Sequence, residues 1–190
     1  MLNMKTMKRG GEISYPKTIE LTGFQSLVQS HIRHYNHKRY WKMRERVVSF
    51  KGGFFNRLLC YWYLFRIKRM DAFNNASMGT HLGFGASFAT PPSFPHGIQG
   101  VIVAHDAKIG KHCIILHSVT IGNGHGGSPV IGDNCEIGAG AILVGGISIG
   151  NNCRIGANCI VAENVPDNST VVMPHPRILS RTENKIRYRK

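Results

Sequence analysis

Histidine is the side chain best suited to general acid–base chemistry near neutral pH, and the chain of 190 residues contains ten histidines. Three of them stand where the surrounding pattern suggests a role. His96 precedes the Gly97-Ile98 pair that opens a regular repeat, His117 occupies an outward position within the repeat, and His125 lies in its one interruption. These three residues are the candidates for an active site, and His96 is the first choice for its general base.

The elements that must position these histidines are set by a six-residue repeat. An aliphatic residue opens almost every six-residue step between residues 103 and 165, and a second small apolar residue follows four positions later. The openers are Val103, Ile109, Ile115, Ile121, Ile131, Ile137, Leu143, Ile149, Ile155 and Val161. Neither an α-helix nor a flat strand repeats with this period. The pattern predicts a triangular solenoid in which three short strands make a coil of about 18 residues and the openers point inward.

The repeat is interrupted once, by the segment IGNGHGGSPV that begins at Ile121. Segments inserted into a solenoid usually project binding groups, which makes His125 a candidate site residue. An ordinary loop histidine remains an equal alternative.

Four of the five cysteines fall in the inward phase of the repeat, namely Cys113, Cys135, Cys153 and Cys159. Cys60 lies in an apolar segment that predicts a helix. We therefore expect all five to be small buried hydrophobic residues, and we expect no covalent cysteine intermediate.

Residues 96 to 180 resemble the hexapeptide-repeat acyltransferases with a left-handed parallel β-helix, and among them the serine acetyltransferases most. The resemblance is carried by HGIQGVIVAHDAKIGKHCIILHSVTIGNG, then IGDNCEIGAGAILVGGISIGNNCRIGANCIVAENVP, then PRIL. O-acetyltransferases of surface polysaccharide biosynthesis share this core. The resemblance implies an all-β, left-handed β-helix catalytic domain over residues 81–171. A basic, mainly α-helical region over residues 1–80 precedes it, and a basic tail over residues 172–190 follows.

The N-terminal region predicts two helices, over residues 26–50 and 54–73, with Lys51-Gly52-Gly53 between them. Aromatic and basic residues alternate at residues 39–46 and again at residues 57–69. Two explanations stay open for this composition: the aromatics pack the helices against the solenoid, or the helices bind a membrane surface.

The resemblance implies an acetyl-CoA-dependent O-acetyltransferase that transfers acetyl directly to a hydroxyl group in a ternary complex. His96 aligns with the catalytic histidine of that family, and His117 and His125 are further active-site candidates. The donor groove is expected along small residues of the later coils, which are Gly138, Ala139, Gly140, Ala141, Gly156, Ala157 and Asn158. Arg177 and the basic tail either meet the coenzyme phosphates or form a solvated tail, and both explanations stay open.

The chain departs from serine acetyltransferases at three positions. The family places an aspartate directly before the catalytic histidine and another about fifteen residues upstream, where this chain has Pro95 and His81. Ser128 stands before Pro129, where the family has an Arg-His pair. These departures favour a sugar or glycan hydroxyl as acceptor, with free serine as the alternative. They leave Asp106 or a backbone carbonyl as the orienting partner of His96.

Two other functions, a metal hydratase and a non-catalytic scaffold, are alternatives to acetyl transfer. Carbonic anhydrases of the γ type use the same coil and bind zinc through three histidines, for which His81, His112 and His117 are conceivable; the acetyltransferase hypothesis expects no metal. A non-catalytic scaffold is a third hypothesis.

The net charge of +14 is concentrated at both ends of the chain and favours anionic partners. No nucleic-acid-binding motif occurs. We expect a cytoplasmic homotrimer, with peripheral association at the inner face of the membrane as an alternative.

Overall fold

The computed structural model describes residue 28 and residues 30–174, and it places a helical stretch at residues 30–32 and two longer helices before the solenoid. Helix α1 spans His37–Val48 and helix α2 spans Phe54–Phe73, so the second predicted helix is confirmed. The first prediction, a single helix from residue 26, is wrong. The chain turns at His34, where φ is +48°, and Asn36 then caps α1 by accepting a hydrogen bond from the Arg39 backbone N–H.

The rest of the described chain winds into a triangular solenoid of short strands, with three faces that each coil visits in turn. Face 1 contains β1 (Ser77–Met78), β5 (Ile102–Val103), β8 (Thr120–Gly122), β11 (Ile142–Val144) and β14 (Ile160–Val161). Face 2 contains β4 (Ser87–Phe88), β6 (Lys108–Ile109), β9 (Val130–Ile131) and β12 (Ser148–Ile149). Face 3 contains β7 (Ile114–Ile115), β10 (Glu136–Ile137), β13 (Arg154–Ile155) and β15 (Thr170–Val171).

All strand pairs within the faces are parallel, and the first pair joins Ser77 to Ile102. The solenoid thus begins ahead of the boundary predicted at residue 81. A small antiparallel hairpin, β2 (Thr80–His81) with β3 (Phe84–Gly85), projects from this first coil.

The interior of the solenoid is a set of stacked aliphatic columns. Ile115, Ile137 and Ile155 lie in direct register on face 3 and are almost completely buried. Cys135 and Cys153 stack beside this column, are buried, and remain free thiols. The predictions of inward openers and of buried cysteines are confirmed, because the six-residue period matches the strand and corner length of each face.

Helix α1 attaches the helical region to the solenoid through buried polar contacts. The Arg44 guanidinium donates to the backbone carbonyls of Met78 and Ala86, which lie in the first coil. The Tyr40 hydroxyl donates to Asp71 of α2 over 2.7 Å. The aromatics and arginine of residues 39–46 therefore pack the helices on the solenoid. No helix within the described ranges is long and apolar enough to cross a membrane.

Candidate active site

His96 and His117 meet at one corner of the triangle. This corner, called the histidine corner, joins face 3 to face 1 and comprises residues 95–100, 116–118, 138–140 and 156–158. The imidazole centroids of His96 and His117 lie 5.4 Å apart with the ring planes at 85°. Both side chains are exposed. The structure thus brings together two of the three predicted catalytic residues, from consecutive coils.

The approach of His96 depends on an enlarged corner in the first coil. Ser93 pairs with Ile114 on face 3, and the Ser118 backbone N–H donates to the Gln99 carbonyl at the far end of the corner. The stretch between these contacts is longer in the first coil than in the next. The extra length lets His96 reach the His117 ring, although the two residues do not share a repeat position.

The histidine corner continues into small residues in the following coils. The Gly140 N–H donates to the His117 carbonyl over 3.1 Å, and the Asn158 N–H donates to the Ala139 carbonyl over 2.9 Å. His117, Ala139 and Ala157 are therefore stacked, one coil apart at about 4.8 Å per step. A short column of methyl groups leads away from the two histidines.

Close coil packing explains the glycines in this column. A Cβ atom on Gly138 would lie 2.6 Å from the Ala157 backbone nitrogen, so a larger residue cannot be accommodated without moving the coil. Of the predicted cofactor residues, Ala141 needs correction. It is completely buried, so its methyl group belongs to the core and not to a surface groove. Its position in the repeat already indicated an inward side chain.

His125 lies at a different corner. The loop of residues 123–129 joins face 1 to face 2, and Gly124 and Gly127 form a tight antiparallel bridge within it. The His125 side chain is exposed, and its carbonyl accepts a hydrogen bond from the Gly146 N–H. A cleft of about 620 Å³ lies here, lined by His125, residues 144–147 and residues 162–164. Within one chain, face 1 separates His125 from the histidine corner.

The loop of residues 123–129 is fixed by Asp106 of the preceding coil. The Ser128 hydroxyl and the Asn123 side-chain amide donate to the two carboxylate oxygens of Asp106. The hydrogen bond from Ser128 is the main reason that the pKa of Asp106 lies below its ordinary value. Asp106 was a candidate to orient His96, and in the described chain its two carboxylate oxygens instead accept hydrogen bonds from the loop. Sequence reasoning did not identify this anchoring role, since a 22-residue separation gives no local signal.

His81, His105 and His112 lie elsewhere on the solenoid. His81 stacks on Phe84 with the ring centroids 4.7 Å apart, and His105 contacts both rings edge-on. Burial is the largest cause of the lowered pKa of His81. His112 stands at the corner between faces 2 and 3. In the part of the chain that the structure describes, no three His, Cys, Asp or Glu side chains gather as a metal site.

Arg177 and the basic tail, which are candidates to meet the coenzyme phosphates, lie outside the described residues. They stay predictions from the sequence.

Comparison with known proteins identifies the repeat and the fold. Residues 128–163 match the family described as bacterial transferase hexapeptide (six repeats). A serine acetyltransferase of Synechococcus elongatus is 30% identical over 164 residues, which cover 84% of this chain and 58% of that protein. The crystal structure of Entamoeba histolytica serine acetyltransferase 1 in complex with L-cysteine superposes with a TM-score of 0.52 at 28% identity. It covers 80% of this chain and 52% of that one.

A second kind of relative carries a different name. The Escherichia coli protein named putative colanic acid biosynthesis acetyltransferase WcaB is 40% identical over 86 residues, covering 44% of this chain and 52% of that protein. The chain therefore spans less than two thirds of the length of these relatives.

The stacked hexads and the parallel triangular coil are those of a hexapeptide-repeat β-solenoid, and these matches show that the chain is similar to left-handed β-helix acetyltransferases. Within that class, its relatives are serine acetyltransferases and, over a shorter stretch, the WcaB acetyltransferase.

Proposed function

We propose that the protein is an acetyl-CoA-dependent O-acetyltransferase that uses His96 as its general base. The observation that carries the proposal is the pairing of His96 with His117, 5.4 Å apart, at the head of a column of small residues. The histidines supply a proton acceptor, and Gly138, Ala139 and Ala157 place only small side chains beside the backbone, where we infer that an extended thioester arm binds.

The reaction follows from this arrangement. The neutral His96 imidazole removes the proton from the acceptor hydroxyl as the oxygen attacks the thioester carbonyl. The tetrahedral oxyanion collapses, the carbon–sulfur bond breaks, and the coenzyme thiol leaves with the proton that the imidazolium returns. The His96 and His117 rings meet edge to face, and we assign His117 as a residue that positions the His96 ring. All five cysteines are buried in the structure, which supports direct transfer without a covalent enzyme intermediate.

Free serine is the first acceptor to test. The relatives favour it over the sugar or glycan hydroxyl that the sequence departures suggested, because most of the matched proteins carry the name serine acetyltransferase. A saccharide hydroxyl is the second candidate. It is supported by the WcaB match and by Pro95 and His81 at positions where the resemblance implies aspartates.

His125 joins the site in this proposal only through assembly. Its loop and the histidine corner lie at different corners of the same triangle, so one chain cannot bring them together. In a homotrimer, the loop of one subunit faces the histidine corner of its neighbour, and the resemblance to trimeric acetyltransferases supports that arrangement. His125 would then contact the acceptor bound next to His96 of the adjacent subunit.

The test is coenzyme A release from acetyl-CoA by the wild type and by His96→Ala, with serine in one series and a panel of sugars in another. We expect His96→Ala to lower kcat about 10²- to 10⁴-fold, the usual contribution of a general base. His112→Ala is the matched control, because His112 is equally exposed but stands at another corner.

The two series separate the acceptors. Turnover with serine that is lost in His96→Ala supports the serine assignment, and turnover with saccharides alone supports the second candidate. Equal loss in His112→Ala and His96→Ala, or release without dependence on any hydroxyl acceptor, contradicts the assignment of His96.

A further inference from the structure

Helix α2 has two apolar faces, and among the described residues one is buried while most of the other is exposed. The inner face buries Cys60, Ile67 and Asp71 against α1 and the first coil. The opposite face carries Phe54, Leu58, Tyr61 and Phe65 at intervals of three and four residues, with Trp62, Phe55 and Phe73 beside them. This spacing aligns the outer residues in a single stripe along the helix.

The outer stripe is exposed over its whole length. Phe54 is 78% exposed, Leu58 65%, Tyr61 53% and Phe65 64%, and Trp62 is 48% exposed next to them. The helix has 20 residues and is therefore about 30 Å long. Scattered exposed hydrophobic residues need no explanation, but a continuous exposed stripe of large side chains marks an interaction surface.

Basic side chains border the stripe on both sides. By helical position, Arg57 and Lys68 lie along one edge, Arg66 lies along the other, and Arg69 extends the stripe. The only acidic residue of α2 is Asp71, which is buried on the inner face.

Helix α1 adds more positive charge at the same place, since Arg39, Lys42 and Arg46 line a cleft together with Trp62. The outward surface therefore combines a row of aromatic and aliphatic side chains with concentrated positive charge.

We propose that the outward face of α2 binds the surface of an anionic phospholipid bilayer, with the helix axis parallel to the membrane. Aromatic rings partition to the headgroup boundary, and flanking Arg and Lys residues bind lipid phosphates. This surface activity goes beyond acetyl transfer. A second copy of the chain is a poorer occupant, because paired faces would bring like charges together without carboxylates to offset them.

Vesicle flotation of the full chain tests the proposal. Phosphatidylcholine vesicles with and without phosphatidylglycerol are the probes, and we expect flotation with the anionic vesicles alone and weakening as salt rises. Leu58→Ser/Phe65→Ser should abolish flotation. Ile160→Ser/Val172→Ser is the matched control, since those side chains are 70% and 71% exposed on the solenoid. It should float like the wild type.

A second pair of variants tests the charges. Arg57→Gln/Arg69→Gln should weaken binding to anionic vesicles by roughly fivefold for each charge removed. Lys108→Gln/Lys111→Gln removes the same charge from the solenoid and should leave binding unchanged.

Three results would overturn the proposal. The first is equal flotation with neutral and anionic vesicles, and the second is no flotation with either. The third is a Leu58→Ser/Phe65→Ser variant that still floats with anionic vesicles, or whose molar mass by light scattering differs from that of the wild type. Circular dichroism checks that each variant is folded. Acetyl transfer to a water-soluble acceptor should persist in all of these variants, so a failure of membrane binding is distinct from a failure of the proposed reaction.

Discussion

Replacing Asp71 with asparagine should stabilise the protein at neutral pH relative to acidic pH. Asp71 is 3% exposed, accepts a hydrogen bond from the Tyr40 hydroxyl at Oδ1, and has no partner at Oδ2 within the described residues. Burial raises the pKa of Asp71 from 3.8 to about 6, against smaller opposing effects of Tyr40, Lys68 and Arg44. Asparagine keeps the acceptor for Tyr40 and removes the buried charge.

The sign and size of the effect follow from the raised pKa. Between pH 3.8 and about 6 the folded state binds more protons than the unfolded state, so the free energy of unfolding falls as pH rises through this window. The full effect above the window is about 3 kcal/mol, at about 1.36 kcal/mol for each pKa unit. Between pH 5 and 7.5 the stability of Asp71→Asn should improve relative to wild type by about 1.4 kcal/mol.

Urea denaturation followed by circular dichroism at both pH values measures this difference. Glu45→Gln is the control, because it removes an exposed carboxylate from α1 instead of a buried one. The reasoning is refuted if Asp71→Asn loses more stability at pH 7.5 than at pH 5. That result would mean that the ionised carboxylate stabilises the fold through Arg44.

Two further outcomes test the solenoid. Ile137→Ala should lower the free energy of unfolding by about 2–5 kcal/mol, because Ile137 is completely buried between Ile115 and Ile155. In the same denaturation assay, Ile160→Ala at a 70% exposed position should lower it by less than about 0.5 kcal/mol. Equal losses of stability in the two variants would contradict the stacked core. Asp106→Asn should speed hydrogen exchange at the loop of residues 123–129 without changing exchange in the buried strands, and unchanged loop exchange would show that Asp106 does not anchor it.

The period of the sequence was sufficient to predict the solenoid. Inward openers such as Ile137 and stacked residues such as Cys135 and Cys153 lie where the six-residue count places them, because each face of the coil uses the same short strand and corner. The same count indicated that Ala141 points inward, although it was also assigned to the donor groove. Helix α2 was predicted from local composition alone.

The contacts between distant residues required the tertiary structure. The contact between His96 and His117 depends on an enlarged corner in the first coil, which breaks the repeat. Asp106 binds the loop of residues 123–129 in the adjacent coil. The sequence also left open which aromatic segment packs and which is exposed, and the structure buries residues of α1 and exposes those of α2. A sequence repeat predicts where each side chain lies because every coil has the same backbone geometry, and the prediction holds wherever that geometry is regular. Corners of irregular length and contacts of side chains across coils depend on distances in space, which no period in the sequence specifies.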